Sequence, residues 1–155
     1  MSAWFRYKYP HIAFAALSSS GVVEAVADYY MYDRHTHDVL MKSGQACVDK
    51  TVQVTEYAEK LATENPKKLF EYFNHEEMEI GEFYYFFADI AAGAVQAGQR
   101  VSFCDRLMNE SPEDDEGLMQ WFANEATRMG VTLDFYDHME LRNEDTSVPS
   151  ANGRQ

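Results

Sequence analysis

His35-Thr36-His37-Asp38 sets two imidazoles beside a carboxylate, and His and carboxylate are metal ligands. On a helix, residues two apart point to different faces, so these histidines could chelate only from extended backbone. The pattern reads instead as a solvated polar turn. Glu71 with His75, and Asp134 with His138, stand at i, i+4 and share a helix face. A di-iron bundle wants Glu and His at i, i+3 together with inward glutamates, so both pairs read as surface ion pairs. Glu76, Glu77, Glu79 and Glu82 form an acidic stretch beside Phe83 that reads as a solvated face. Ser18-Ser19-Ser20-Gly21 has the look of a nucleophile's surroundings, yet the hydrolase elbow is Gly-x-Ser-x-Gly, and no serine here has both glycines. No Gly-rich phosphate loop is present. The chain carries no complete catalytic set, no metal site and no sign of a cofactor.

The balance of charge removes further classes. A net charge of −13 leaves nothing to neutralise a phosphate backbone, which excludes nucleic acid, and it disfavours an anionic membrane surface. No apolar run reaches the roughly 18 to 20 residues of a membrane span. The first residues fail as a signal peptide, because Pro10 and His11 interrupt them and no small-residue cleavage site follows. Taken alone that points to the cytosol, an argument that lapses if the natural N-terminus lies upstream. The length of 155 residues suits one domain with a real core. Cys47 and Cys104 cannot make a zinc site by themselves; they are either two buried thiols or one disulfide closing a long loop. Asn109-Glu110-Ser111 is a glycosylation acceptor pattern, weakened by Pro112 behind it.

The elements that would position these residues are mostly helical. Residues 2–9 read as a short helix stopped by Pro10. Ile12 to Leu17 is a continuous apolar run whose length fits a strand buried on both faces. After Gly21 everything reads as helix. Val48, Thr51, Val52, Thr55, Ala58 and Leu61 trace a stripe over residues 45–63. Asn65-Pro66 is a cap and first-turn proline for a helix carrying Leu69, Phe70 and Phe73. Ile80, Phe83, Phe86, Phe87, Ile90, Ala94 and Val95 form the strongest amphipathic pattern. Ser111-Pro112-Glu113-Asp114 starts a helix with Leu118, Trp121, Phe122 and Met129, which Gly130 stops. A last helix carries Leu133, Phe135, Tyr136, Met139 and Leu141, and the polar tail beyond Arg142 reads as loose. One buried-type strand with about five helices is an unbalanced inventory. Its sheet must lie elsewhere.

The opening stretch explains the imbalance. Ser2-Ala3-Trp4-Phe5-Arg6-Tyr7-Lys8-Tyr9-Pro10-His11 and Ala15-Ala16-Leu17-Ser18-Ser19-Ser20-Gly21 resemble the segment just after the active-site serine in one peptidase family. That family contains lysosomal Pro-X carboxypeptidase, dipeptidyl peptidase II and thymus-specific serine protease. Its Gly-Gly-Ser-Tyr-x-Gly elbow precedes this helix and is not in the chain. Ser43-Gly44 with Cys47, Val101 through Phe103-Cys104-Asp105, and Asp134-Phe135-Tyr136 through Glu140-Leu141-Arg142-Asn143 are similar to the family's inserted helical region. Gly153-Arg154-Gln155 resembles the stretch that leads into its Trp-x-Tyr-Gln-x-Cys segment.

The resemblance implies a mostly α chain: a helical cap insertion plus one helix and one strand of an incomplete α/β-hydrolase fold. Residues 1–21 would be a piece of the hydrolase core, 22–142 the cap, and 143–155 a loose tail leading back to the core. It implies a serine-type exopeptidase cleaving small peptides next to proline, with the nucleophile upstream and the Asp and His downstream, so no catalytic residue falls on this chain. Ser19, Ser20 and Gly21 become candidates to line the substrate pocket, against a plain strand-to-cap turn. Cys47 and Cys104 are expected to form a disulfide in an oxidising compartment, with localisation secretory, lysosomal or extracellular. The expected partners are a peptide substrate and the rest of the hydrolase domain. The isolated chain is expected to be inactive and to self-associate. The alternative is a free-standing, non-catalytic helical binding module.

Overall fold

The computed structural model describes residues 1–136 except Ser20, Val22, Ala25, Ala27 and Asp28. The loose tail at 143–155 and the final-helix positions beyond Tyr136, Met139 and Leu141 among them, lie outside the described residues. The chain divides into two compact units, Met1–Met31 and Tyr32–Gln155.

In the first unit, α1 spans Ser2–Lys8 and ends where Pro10 disfavours further helix. The Tyr9 amide still bonds Phe5 O at 2.8 Å, and Tyr9 O accepts from Ile12 N and Ala13 N, which turns the chain. The strand expected at 12–17 is not formed. A strand exists only through ladder bonds to a neighbour, and among the described residues none pairs with it. The run is irregular and exposed, with Phe14 at 96% and Leu17 at 91%.

Among the described residues of the second unit every regular element is helical: α2 (Met31–Leu40), a 3-10 turn (Met41–Ser43), α3 (Gln45–Glu64), α4 (Pro66–Glu71), α5 (Ile80–Gln96), α6 (Arg100–Glu110), α7 (Asp115–Met129) and α8 (Leu133–Tyr136). The polar turn expected at His35-Thr36-His37-Asp38 is instead part of α2. Local polarity does not stop a helix that lacks Gly and Pro, and Leu40 anchors this one in the core. The capping signals act as their chemistry requires. Asn65 Oδ1 accepts from Lys68 N at 3.2 Å, with Pro66 in the first turn of α4. Asp114 Oδ1 accepts from Gly117 N at 2.8 Å, so the cap of α7 is the last residue of its start signal. Gly130 (φ 73°) and Gly98 (φ 70°) take the left-handed conformation that lets α7 and α5 close their ends. Val131 N reaches Ala126 O, and Gln99 N reaches Ala94 O, in the six-to-one bond of such caps.

The core is aromatic. Phe83, Phe86, Phe103 and Phe122 are fully buried, and Phe73 meets Phe83, Phe86 and Phe87 edge-on at 5.1–6.2 Å. The buried side of α3 runs through Cys47, Val48, Val54, Tyr57, Ala58 and Leu61, so the expected stripe is rotated; Val52 and Thr55 are exposed. That side faces α4, α6 and α7. Cys47 and Cys104 form the expected disulfide, with Cα atoms 5.4 Å apart, joining α3 to α6. Both cysteines are buried.

Replacing both cysteines by alanine removes a crosslink across a sequence separation of 57 residues. Loop-closure entropy then sets a loss of about 4 kcal/mol. Urea unfolding of the two forms should show a lower midpoint for the variant, and equal midpoints would contradict this.

Candidate functional site

The expected pocket-lining residues follow α1. Ser19 and Gly21 are exposed, and Ser20 lies outside the described residues. The backbone leading to them is held by α1 side chains. Arg6 Nε donates to Phe14 O at 3.0 Å, Ser2 Oγ to Leu17 O at 2.9 Å, and Trp4 Nε1 to Val23 O at 3.2 Å. Ser2 and Arg6 share a face at i, i+4, so the chain from Phe14 to Leu17 runs back along that face. These side chains satisfy carbonyls that a neighbouring strand would otherwise take. Sequence periodicity carried no sign of them, because side chain-to-backbone bonds have no period.

Serine hydroxyls elsewhere serve structure. Ser102 Oγ donates to Gln99 O at 3.0 Å, and Arg100 donates to Ser43 Oγ at 2.5 Å. The histidine pairs do not build a centre. His35 and His37 are exposed on α2, and His37 Nδ1 lies 3.2 Å from its neighbour Asp38. Glu71 pairs with Lys67, one turn before it, at 3.9 Å. The Asp134–His138 pair falls outside the described side chains. Among the described residues no three His, Cys, Asp or Glu side chains are grouped to hold a metal ion. No helix there is long and apolar enough to cross a membrane.

Three charged residues are buried where sequence reasoning saw only surface: Lys50, Glu82 and Glu125. The acidic stretch is therefore not a wholly solvated face. Glu79 caps α5, its Oε2 accepting from Gly81 N at 2.7 Å and Glu82 N at 3.2 Å, and this turns Glu82 inward beside Phe83. Lys50 donates to Ser111 Oγ at 3.0 Å and Pro112 O at 3.2 Å, and pairs with Glu113 at 3.0 Å. The corner between α6 and α7 is thus pinned to α3. Ser111 Oγ also donates to Leu107 O at 2.5 Å, so the hydroxyl of the Asn109 acceptor pattern is committed within the fold. Asn109 itself is exposed, and its Nδ2 donates to Asp105 O at 2.6 Å.

Glu125 sits between two guanidiniums, Arg106 at 2.5 Å and Arg128 at 2.6 Å. Burial pushes its carboxyl up, but the Arg128 and Arg106 hydrogen bonds outweigh burial and hold it below the usual carboxylate range. An open cavity of about 510 Å³ lies between the end of α3 and the starts of α4 and α7, lined by Tyr57, Lys60, Glu64, Lys68, Asp115 and Glu116 among others. Its charged groups are largely paired already: Lys68 with Glu116 at 2.5 Å, and Asp115 with Gln53 at 2.8 Å. Burial and a hydrogen bond with Tyr57, one of the cavity's lining residues, push the Tyr72 phenol up to about 12. Tyr72 therefore stays neutral at any physiological pH. The cavity offers polar, charged walls.

The model of the family "Serine carboxypeptidase S28" matches residues 1–150. The chain belongs to this family. Among curated proteins it is similar to "Probable serine protease EDA2" of Arabidopsis thaliana, 28% identical over 160 residues. That alignment takes in 97% of this chain and 31% of the relative. The chain thus spans about a third of that relative's length. No solved structure matches it. The match runs through both units, so the exposed opening segment and the buried helical core belong to one S28 region.

Glu125→Gln would leave two guanidiniums facing a neutral amide, at a cost of about 3 kcal/mol, the low end for a broken buried pair because both arginines reach solvent. With its folded-state pKa lowered, Glu125 contributes stability above its unfolded pKa and loses it as pH falls through the folded value. Urea midpoints across acidic pH should therefore fall in the wild-type chain more steeply than in the variant.

Proposed function

We propose that this chain is the cap-bearing part of a serine-type exopeptidase that cleaves small peptides next to proline, in Pro-X carboxypeptidase or dipeptidyl-peptidase mode. The observation that carries the reading is the S28 match across residues 1–150. Acyl transfer needs a nucleophile, a base and an oxyanion hole within hydrogen-bond reach of one another. The chain has no Gly-x-Ser-x-Gly, so its contribution is to shape the entrance and exclude water, and Ser19, Ser20 and Gly21 are the residues that would line the pocket. A cap that narrows the entrance favours substrates presenting a free end. The partner of the first unit is the rest of the hydrolase domain. Its exposed Trp4, Phe5, Ile12, Phe14 and Leu17 form the kind of apolar surface that a monomer rarely leaves bare. The buried disulfide fits an oxidising compartment, which supports a secretory or lysosomal location.

A second reading, a free-standing helical binding module, is favoured by one observation: the second unit has a continuous buried core of its own. Reading the flanking genomic frame separates the two. A Gly-x-Ser-x-Gly upstream with Asp and His downstream establishes the peptidase, and their absence establishes the module.

Two outcomes are expected of the purified chain. It does not hydrolyse a Pro-containing peptide above the uncatalysed rate and is not labelled by a fluorophosphonate; labelling at Ser18, Ser19 or Ser20 would reveal a nucleophile and overturn the division of labour. It also binds a hydrophobic dye, self-associates, and exchanges amide protons fastest over residues 1–21. A monodisperse monomer with protected amides at 12–17 would instead favour the module.

A further inference from the structure

The triplet Asn109-Glu110-Ser111, the only Asn-x-Ser/Thr in the sequence, lies where α6 ends at the corner before α7. Asn109 is exposed, and an exposed position has room for a bulky, hydrated group. Its Nδ2 donates to Asp105 O at 2.6 Å, one turn back along α6. The Ser111 hydroxyl reaches a different carbonyl, Leu107 O, at 2.5 Å, and accepts from buried Lys50 at 3.0 Å. Carboxamide and hydroxyl are thus each committed to a helix carbonyl of their own. The backbone at Ser111 is extended (φ −78°, ψ 141°), as Pro112 behind it favours. Lys50 comes from α3, which the Cys47–Cys104 bond ties to α6 just before Asn109. One crosslink and one buried ammonium therefore hold the triplet closed.

We propose that Asn109 is an N-glycan acceptor gated by folding: it takes the glycan while the end of α6 is open, and is closed to it once the disulfide and Lys50 have set the corner. The proposal rests on the secretory location inferred above. The donor is a lipid-linked oligosaccharide diphosphate. Its sugar C1–O bond to phosphate breaks as a bond from C1 to Asn109 Nδ2 forms; the amide nitrogen gives up one proton and the lipid diphosphate leaves. The Asn-x-Ser/Thr pattern is read by holding the carboxamide and the hydroxyl together in one transferase site. The closed corner withholds both groups. Freeing the hydroxyl there would take an acceptor from the buried Lys50 ammonium, the costly side of a broken hydrogen bond. The product, once made, suits the fold: a glycosylated carboxamide keeps one N–H, enough for the bond to Asp105 O, and the position is exposed. Cys47 and Lys50 precede Asn109 in the chain, so both can close the corner as soon as α6 forms. Glycan transfer and folding compete for the same interval.

The test expresses the full chain behind a secretory leader and reads the fraction whose mobility shifts on peptide-N-glycosidase treatment. At most a minor fraction of the wild-type chain should carry the glycan, and Asn109→Gln should carry none. The occupied fraction should rise several-fold when Cys47 and Cys104 are both replaced by alanine. It should rise likewise in Lys50→Met, which keeps the disulfide and removes the clamp on Ser111. Neither variant has to fold for the reading to count, because an open chain is the better acceptor. Absence of glycan in the wild-type chain and in both variants would overturn the acceptor. Equal occupancy in all three would overturn the gate. The added leader supplies the compartment, so these outcomes are independent of the native location and of peptidase activity, which the flanking frame decides.

Discussion

The covalent bond between Cys47 and Cys104 sets the frame in which the rest of the helical unit packs. It lies in the first turn of α3 and in the middle of α6, and both cysteines are buried. Because α3 also packs on α4 and α7, fixing its rotation fixes which face they meet. That face is the line from Cys47 through Val54 and Tyr57 to Leu61. The same rotation leaves Val52 and Thr55 in solvent, although their types suit a core. A local stripe of apolar residues has several rotations of similar merit; a crosslink at one end selects one of them.

Buried charge does the complementary work at the corner between α6 and α7. Pro112 cannot donate a backbone hydrogen bond, and a tight turn between helices leaves carbonyls without intrahelical partners. Lys50 supplies donors from the neighbouring helix to Ser111 and Pro112. The Glu125 carboxylate, lying between Arg106 of α6 and Arg128 of its own helix, ties α7 to α6 on another side. Each arrangement satisfies a buried polar group that would otherwise cost about 1 to 3 kcal/mol. They add orientation where the aromatic core, which is non-directional, supplies mainly cohesion.

What was legible in the sequence follows the range of the physics involved. Cap chemistry acts over three or four residues, so Asn65-Pro66, Asp114 and Gly130 mark their helix ends. The helix at 80–96 is legible because its apolar period is long and uninterrupted. The helix α6 was less so: only Phe103, Cys104 and Leu107 are buried, and Gly98, which ends α5 just before it, is its clearest herald. Burial of Lys50, Glu82 and Glu125 depends on partners or caps that no window of apolar periodicity contains. The disulfide came from resemblance, since spacing alone left two buried thiols open. The pocket candidates Ser19, Ser20 and Gly21 rest on resemblance alone, while the α1 side chains that bond the carbonyls of Phe14, Leu17 and Val23 are visible only in three dimensions.

The stretch from Ile12 to Leu17 shows where such reasoning stops. Its composition suits a strand buried on both faces, yet being a strand is a relation to neighbours and not a property of the segment. With no ladder available among the described residues, the carbonyls of Phe14 and Leu17 accept from Arg6 and Ser2 instead. Those bonds satisfy acceptors on one side and leave the apolar side chains uncovered. The same segment offered a sheet edge would exchange two side-chain bonds for a regular ladder and bury Ile12, Phe14 and Leu17. At about 25 cal/mol per Å², covering each large side chain is worth roughly 2 kcal/mol. That gain far exceeds the net of about 1 kcal/mol for each side-chain hydrogen bond given up. Irregular as it stands, the run would thus gain free energy by pairing wherever a sheet edge were offered to it.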